Sequence, residues 1–396
     1  MKSITPHVVR LSSVAVAALL SGTGPAFAAP AEAPAITQGT PDDGIPDIYF
    51  CPIKGQMGTD VHKSIYEEVV KDIKRVKPDL VVFTLNCADY NTIFYLGDDN
   101  PIEQSLNMLG EYREIVKLLR EDLEEFPQVM WVEDSVGFGS LLALAWPDMY
   151  MTSTARLAGL EKVLQPVLSW RDPDVRAKML AAWTGISKGF LEKGGYTQEL
   201  GEAMMRPEKM LSVEFEGRTL KWRQDTGGQW VIDGSDKATA QFSAQLAEDI
   251  GLCKGLADTT DDLAFLLGYR EYRKVPDSEK LVERYVEDWR RLFEQSTKWG
   301  LDYQDAMKNA NGEDAVKYLG QAKSALEKII GAMNKYQAIE TRWRLTTGES
   351  KVSIEIKIEQ IKEQIRGIKS SQKPGGSRGS GGGSGGGLSG GGGGRR

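Results

Sequence analysis

The residues best suited to chemistry lie in the stretch VEDSVGFGSLLALAWPDMYM, from Val132 to Met151. Two acids and a serine lead into small residues and then into a nearly unbroken apolar run. This pattern predicts a strand that ends in a tight turn and continues as a buried helix, and turns of this kind often present a nucleophile to the substrate. Ser135 and Ser140 are the hydroxyl groups beside the turn. The first question is whether either of them stands where a nucleophile is needed.

Histidine usage limits the mechanisms open to such a nucleophile. The sequence contains 2 histidines, His7 and His62, and His7 falls in a predicted leader. A histidine-rich zinc site is therefore excluded, and a Ser-His-Asp triad would have to use His62. His62 lies beside apolar residues at helical spacing, which predicts a solvated position on a helix. These apolar residues are Val61, Ile65, Val69, Ile73 and Val76.

The 3 cysteines, Cys51, Cys87 and Cys253, are an odd number without metal-ligand spacing. Cys51 and Cys87 fall near two candidate neighbouring strands, so one disulfide and buried free thiols remain alternatives. We expect no metal ion and no cofactor.

The N-terminus predicts export. Lys2 and Arg10 give a basic start, an apolar core follows, and AFA precedes Ala29, so residues 1–28 are predicted to be a secretory signal peptide. No later segment is apolar enough to span a membrane. We expect a periplasmic or extracellular protein without an integral membrane span in the mature chain. Cleavage leaves 47 basic against 56 acidic residues, a net charge near −9, so nucleic acid is not an expected partner.

The elements that would position the turn form a regular series. After a Pro- and Ala-rich linker over 29–46, DIYFCPIKGQM and DLVVFTLN read as buried strands separated by a helix, and an amphipathic helix over 105–126 precedes the strand QVMWVED. Alternation of strand and helix predicts an α/β layer with parallel strands. Residues 211–233 alternate apolar and polar residues around TGG, which predicts a small antiparallel hairpin or three-strand meander.

Beyond Gly268 the sequence changes to charged helical segments. A short heptad seam, interrupted at Glu340, predicts a helical or coiled-coil module over 269–370. Its apolar members are Leu319, Ala322, Leu326, Ile329, Met333, Tyr336 and Trp343, followed by Ile354, Ile358, Ile361, Ile365 and Ile368. Residues 371–396 are almost all Gly and Ser, which predicts a flexible tail.

Residues 47–268 resemble the Clp-type and signal-peptide-peptidase-type serine protease superfamily, most closely its NfeD-like branch. The matching segments are IKGQM before a helix, PDLVVFTLN, and QVMWVEDSVGFGSLLALAWPDMYMTSTARLAG. The resemblance implies a ClpP/crotonase-like core of repeated β-β-α units in a spiral, with the β insertion at about 211–233 and a C-terminal helical bundle beyond it. It also implies a peptide or protein ligand and assembly into a homo-oligomer.

The resemblance also assigns roles to single residues. With LALA and Met151 in register, Gly137 falls on the nucleophile position, where the family has serine. Ser135 becomes the nucleophile only if the register slips by two residues, and Ser140 lies about one helical turn further on. Lys178, on a predicted helix, falls where the NfeD-like branch carries its lysine base. A serine–lysine pair requires that lysine to be neutral, and hence desolvated.

The loop that holds the oxyanion in the family also departs from its pattern. Where the family has T-P-G-G, this chain has Cys87, Ala88, Asp89 and Tyr90. The glycine amides are replaced, and the Asp89 carboxylate would repel the charge that develops on an oxyanion. Phe138 and Gly139 are the remaining predicted substrate-loop positions.

Three hypotheses follow for the function. The first is an exported protein with a protease fold that has lost peptidase activity and acts by peptide or protein binding or by assembly. The alternative is an active serine endopeptidase with a Ser-Lys dyad. A crotonase-type acyl-CoA enzyme shares the fold, but it fits poorly with export and with the altered oxyanion loop.

Overall fold

The computed structural model describes residues 44–87, 110–161, 171–217 and 219–371. The predicted signal peptide, most of the linker and nearly all of the Gly-rich tail lie outside these ranges. The described residues form a mixed α/β protein with a largely parallel sheet and several helices. The predicted α/β class is therefore confirmed at this level.

Ten strands are present in the described ranges. They are β1 Asp47–Lys54, β2 Leu80–Cys87, β3 Gln128–Val136, β4 Met149–Met151, β5 Arg156–Ala158, β6 Leu211–Glu216, β7 Thr219–Arg223, β8 Trp230–Asp233, β9 Phe242–Ser243 and β10 Arg273–Lys274. The main sheet has the order β10-β1-β2-β3-β5-β9, and β4 also pairs with β3. All its pairs are parallel except β5 with β9. The carboxyl ends of β1, β2 and β3 therefore lie at the same edge of the sheet.

The helices of the described ranges cover the sheet and extend beyond it. They are α1 Lys63–Val76, α2 over residues 110–121 with a π-helical end at Lys117–Glu121, α3 Phe138–Ala143, α4 Pro173–Lys193, α5 Gln198–Met205, α6 Ala244–Asp249, α7 Thr260–Leu266, α8 Lys280–Lys308, α9 Ala315–Lys335, α10 Gln337–Thr347 and α11 Lys351–Ser371.

The central strands are buried on both faces, as their continuous apolar sequences require. Along β1, Tyr49, Cys51 and Ile53 join the large core with α1 to α5. The alternate residues Ile48 and Phe50 join a smaller core that includes Leu263 of α7. The sheet is thus packed between two apolar layers.

The predicted helix over α1 is present, but the expected environment of His62 was wrong. His62 is only 3% exposed and is the N-cap residue of α1. Its imidazole accepts a hydrogen bond from the amide of Ser64, which satisfies a free N–H group of the first turn. The helix ends at Lys77, whose positive φ of 56° closes the last turn before Pro78.

The small second sheet is antiparallel and has the order β7-β6-β8. Of the two predicted alternatives, the antiparallel pair of β6 and β7 matches the hairpin, and β8 pairs with the other side of β6, so the three strands are not a meander. The link from β7 to β8 crosses back to the other side of β6. Asp225 accepts hydrogen bonds there from Arg223 and from the amide of Gly227, which fixes this link.

The C-terminal helices bury the heptad seam within the chain itself. Leu326, Ile329 and Met333 of α9 pack in one cluster with Ile354 and Ile358 of α11, while Tyr336 is half-buried. Helix α8 packs against two apolar clusters. Its first turns contact the large core of the α/β part, and its later turns contact the cluster formed by the C-terminal helices. The domain boundary near residue 269 stays a prediction.

All three cysteines are buried free thiols, which decides between the two alternatives left open by the sequence. None of the helices in the described ranges is both long enough and apolar enough to cross a membrane.

Candidate functional site

The turn between β3 and α3 is built around Gly137. This residue has φ 68° and ψ −125°, a conformation that a residue with a side chain adopts only under strain. Its amide donates a hydrogen bond of 2.8 Å to the carbonyl oxygen of Ala158. Residues 138–143 of α3 are all buried. The structure therefore has a sharp strand-to-helix turn, as the sequence predicts, and its central residue carries no side chain.

The two serines beside the turn are both fully buried. Ser135 Oγ lies 3.0 Å from Ser140 Oγ. Ser140 Oγ also lies 3.1 Å from the Ser135 carbonyl oxygen, 3.0 Å from the Ala158 carbonyl oxygen and 3.1 Å from the Ala158 amide. A hydroxyl donates one hydrogen bond and accepts two, so the partners of Ser140 exhaust its capacity. The arrangement tethers β5 to α3 and leaves neither hydroxyl directed at solvent.

The predicted substrate-loop residues pack tightly against the end of β2. A Cβ atom at Gly139 would lie 2.9 Å from Cys87 Cβ and 3.2 Å from Ser135 Oγ, so only glycine fits there. The Cys87 thiol donates to the Ile53 carbonyl oxygen at 3.3 Å, and burial raises its pKa well above the ordinary value. Cys87 is thus an unreactive core thiol. Ala88, Asp89 and Tyr90 lie outside the described residues.

Lys178 lies near the start of α4 and is exposed. It precedes the fully buried Trp183 by five residues, which places it about 140° around the helix from that side chain. The face of α4 that packs on the core carries Trp183, Ser187 and Phe190. The structure therefore brings Ser135, Gly137, Phe138, Gly139 and Cys87 together and places Lys178 on a different face of its helix. The roles predicted for these residues stay predictions.

A group of residues that the sequence did not single out lies after β1, at the same edge of the sheet. His62 Nδ1 is 2.9 Å from Ser64 Oγ, and His62 Nε2 is 3.2 Å from Oε1 of Glu111 on α2. Ser64 Oγ is also 3.3 Å from the hydroxyl of Tyr285 on α8. The amide of Lys63 donates to the same Glu111 oxygen at 3.2 Å.

This serine–imidazole–carboxyl chain resembles a catalytic triad in composition but not in chemistry. Because the Ser64 amide donates to Nδ1, that nitrogen carries no proton, and Nε2 donates to Glu111. Burial and, to a smaller extent, Lys63 lower the pKa of His62 to about 4. Burial likewise raises the pKa of Glu111 to about 7. An imidazole with so low a pKa is a weak base for a serine hydroxyl.

The same loop is tied to the C-terminal helices by charged groups. Asp60 is buried, and its carboxylate receives both Nε (3.1 Å) and Nη2 (2.7 Å) of Arg290 on α8. The Gln56 amide donates to Asp60 at 2.8 Å, and Arg342 of α10 donates to the Gln56 side chain at 3.2 Å. In the sequence, the segment DVHKS at residues 60–64 precedes apolar residues at helical spacing. Such a pattern predicts a capped start of a helix, here α1.

Comparisons with known proteins give only distant similarities. No protein-family model and no curated protein matches the chain. Among solved structures, it is similar to a membrane-bound stomatin-specific protease, as a lysine-to-alanine mutant in complex with a substrate peptide: identity is 11%, the TM-score is 0.34, and 55% of this chain and 78% of that chain are covered. A serine-to-alanine mutant of a stomatin-specific protease gives 11% identity and a TM-score of 0.31, with 56% and 84% covered. The proposal below that peptidase activity is lost rests on the chain's own residues.

Proposed function

We propose that this chain is an exported peptide- or protein-binding protein with a ClpP/crotonase-type spiral core, and that it has no serine peptidase activity. The single observation that carries the loss of activity is Gly137. It occupies the sharp turn between β3 and α3, and it has no atom that can attack a carbonyl group.

The hydroxyls beside Gly137 support the same conclusion. Ser135 and Ser140 are both 0% exposed and bonded to each other, and Ser140 is also bonded to the main chain of Ala158. An attack by either serine would require breaking this buried network. A lysine base needs desolvation to lose its proton, whereas Lys178 is exposed. The rival function, an endopeptidase with a Ser-Lys dyad, therefore lacks support at both of its positions.

The binding function follows from the resemblance of residues 47–268 to enzymes that hold an extended peptide. A protein that keeps such a cleft but loses the nucleophile can still bind a strand-like segment through main-chain hydrogen bonds. We also propose a homo-oligomer on the basis of this resemblance. The heptad seam no longer adds support for it, because α8 to α11 bury that seam within one chain. Light scattering of the mature chain tests the oligomer.

The test of lost activity is labelling with a fluorophosphonate probe, read by mass spectrometry of the intact mature chain. We expect no adduct, while an active serine hydrolase in the same tube is labelled. Ser135→Ala and Ser64→Ala serve as companion variants. An adduct on the wild-type chain that Ser135→Ala abolishes would establish an enzyme, and one that Ser64→Ala abolishes would assign catalysis to the group at α1.

The test of binding is an array of short, uncharged synthetic peptides with alternating apolar residues, followed by titration of the strongest binders with a fluorescent label. We expect saturable binding without cleavage. Binding with release of shorter peptides would favour the endopeptidase, and absence of binding across the array would contradict the proposed function.

A further inference from the structure

An open groove of about 520 Å³ lies between the carboxyl end of β1 and the first turns of α8. Pro52, Val282 and Val286 give it apolar walls, and the two valines also pack on the large core. The α8 wall is one continuous face of the helix, because its lining residues recur at three- and four-residue spacing from 279 to 290. That face is about 16 Å long, the length of about five residues of an extended peptide.

The β1 wall of the groove presents main-chain groups that have no strand partner. The amide of Val275, just after β10, donates to the carbonyl oxygen of Ile48, so Ile48 directs its main chain to the outer edge of β1. The register of β1 with β2 is unbroken from Ile48 to Lys54, and alternate residues direct their main-chain groups to the same side. Lys54 therefore directs its own to this edge. Among the described residues no strand continues β10 along β1, so an added peptide strand can pair here.

The charges of the lining define what the groove takes. Its cations are already engaged: Lys54 Nζ lies 2.8 Å from Glu133 Oε1, and Arg290 pairs with the buried aspartate of the β1 loop. Glu283 and Glu287 are exposed, and neither has an ion pair or a hydrogen bond within the described part of the chain. Like charges one turn apart on a helix repel each other. The groove therefore carries two uncompensated carboxylates, which favour a cationic ligand.

The spacing of the two carboxylates specifies this ligand further. Glu283 and Glu287 are four residues apart on α8, which places their Cβ atoms about 6 Å apart. In an extended peptide the side chains at positions i and i+2 lie on one face, about 7 Å apart. Two basic side chains separated by one residue can therefore pair with both carboxylates at once. Glu279, the next acid on this face, is already paired with Lys274 and does not extend the pattern.

We propose that this groove binds an extended segment of a partner protein with two lysine or arginine residues separated by one residue. Its cations pair with Glu283 and Glu287, and its main chain lies beside Lys54. The inference rests on the proposed peptide-binding function and names the class of peptide that this function takes. The groove and the Gly137 turn lie at the same edge of the sheet, because the carboxyl ends of β1 and β3 share it.

The experiment uses the full mature chain and the strongest labelled uncharged peptide from the array. A Lys-x-Lys pair is moved along this peptide, and the affinity is measured by fluorescence anisotropy. We expect one position at which the pair tightens binding about three- to tenfold, the value of one or two exposed ion pairs, while Glu-x-Glu there weakens it. No gain at any position would overturn the inference and leave peptide binding intact. A chain that binds no peptide of the array would refute the proposed function itself.

Charge variants test whether the groove carries the selectivity. Glu283→Gln/Glu287→Gln should abolish the gain from Lys-x-Lys and leave the affinity for the uncharged peptide unchanged. Glu355→Gln/Glu363→Gln is the matched control, because it removes the same charge from exposed positions of α11, which does not line the groove. An equal loss of the gain in this control would show that net charge attracts the peptide, and would overturn the assignment to the groove.

The reversed variant Glu283→Lys/Glu287→Lys should prefer Glu-x-Glu to Lys-x-Lys, and an unchanged preference would contradict the proposal. Thermal unfolding of the peptide-free chain shows that the variants fold. Glu283→Gln/Glu287→Gln should keep or raise the midpoint because it removes a repulsion, and a midpoint lowered by several degrees would mean that the carboxylates already have partners. Tighter binding of the Lys-x-Lys peptide by Arg395→Gln/Arg396→Gln would assign the groove to the chain's own basic C-terminus instead of a partner.

Discussion

The loops that leave β3 and β1 at the same edge of the sheet have opposite chemical character. The β3 turn is made of Gly137, buried hydroxyls and apolar residues, and its hydrogen bonds are closed within the turn and β5. The β1 loop carries a buried carboxylate, Asp60, and a buried imidazole, His62, and each of them has partners on distant elements. Residues 135–143 of the β3 turn include no ionisable side chain, whereas the β1 loop includes Asp60 and His62.

The two loops also differ in how they are held in place. The β3 turn is held by the hydrogen bonds that Gly137 and Ser140 make with the main chain of Ala158 in β5. The β1 loop is held by side chains of α2, α8 and α10, so its geometry depends on how those helices pack. Perturbations of charge should therefore act on the β1 loop, and perturbations of shape should act on the β3 turn.

The largest expected effect comes from Arg290→Ala. This change leaves the Asp60 carboxylate, which is 2% exposed, without its cation, and should lower the free energy of unfolding by about 3 kcal/mol. The measurement is the urea midpoint and slope. Arg291→Ala is the matched control, because Arg291 pairs with Asp288 on the surface of the same helix and should matter by less than about 0.5 kcal/mol. Equal losses of stability in Arg290→Ala and Arg291→Ala would show that the ion pair of Arg290 with the buried Asp60 does not stabilise the fold as proposed.

The second prediction concerns pH. The pKa of His62 is lowered from 6.5 to about 4, so the folded chain resists protonation of this imidazole. The variant Glu111→Gln removes the carboxyl and keeps His62. Its stability should therefore fall as pH drops from about 6.5 to 4. The pKa of Glu111 is raised from 4.5 to about 7, so His62→Asn should give a chain whose stability falls as pH rises from about 4.5 to 7. Each change amounts to up to about 3 kcal/mol.

In the wild-type chain both groups are present. Between pH 4.5 and 6.5 their effects on stability have opposite signs, so together His62 and Glu111 should change the stability little with pH in this range. Stability curves of the three proteins against pH measure this directly. His62→Asn keeps an N-cap acceptor for α1, so the helix start is preserved. Parallel curves for all three proteins would show that the imidazole and the carboxyl do not titrate as proposed.

At the β3 turn the expected effects are smaller. Ser140→Ala removes the hydroxyl that joins Ser135 to the main chain of Ala158 and leaves that buried amide unpaired, at a cost of about 2 kcal/mol. Ser135→Ala removes only the outer member of the network and should cost less than about 1 kcal/mol. Chemical denaturation distinguishes the two. The reverse order would mean that Ser135, not Ser140, holds β5 against α3.

An effect of similar size on stability is expected for Gly137→Ser. The conformation with φ 68° and ψ −125° should cost a side chain about 1 kcal/mol, and the chain should still fold. We expect no efficient peptidase, because the sequence resemblance predicts that Asp89 and Tyr90 replace two glycines of an oxyanion loop, and the loss of one oxyanion donor costs about 3–4 kcal/mol in the transition state. Peptide turnover by Gly137→Ser alone would refute this, and adding Asp89→Gly and Tyr90→Gly gives the smallest set expected to restore activity.

The sequence predicted the parts of the structure that depend on local periodicity. The apolar runs of β1 to β3 and the stripe of α1 were sufficient for the parallel sheet and its first helix. The environment of His62 was not predictable in this way, because Glu111 and Tyr285, its direct and indirect partners, come from α2 and α8. The strand order of the small sheet was not predictable for a similar reason. Alternating apolar and polar residues predict strands, but they do not predict that β6 pairs with both β7 and β8.

The ion pair of Asp60 with Arg290 also constrains when the chain can fold during its synthesis. Asp60 leaves the ribosome long before Arg290, which is separated from it by 230 positions in the chain. During that interval the carboxylate has no guanidinium to neutralise it, and β1 lacks β10, its parallel edge partner near residue 273. The edge pairing of β1 therefore waits for residues 273–274, and the pairing of Asp60 waits for Arg290 of α8. Closure of so long a loop favours late, concerted folding over stepwise folding from the N-terminus.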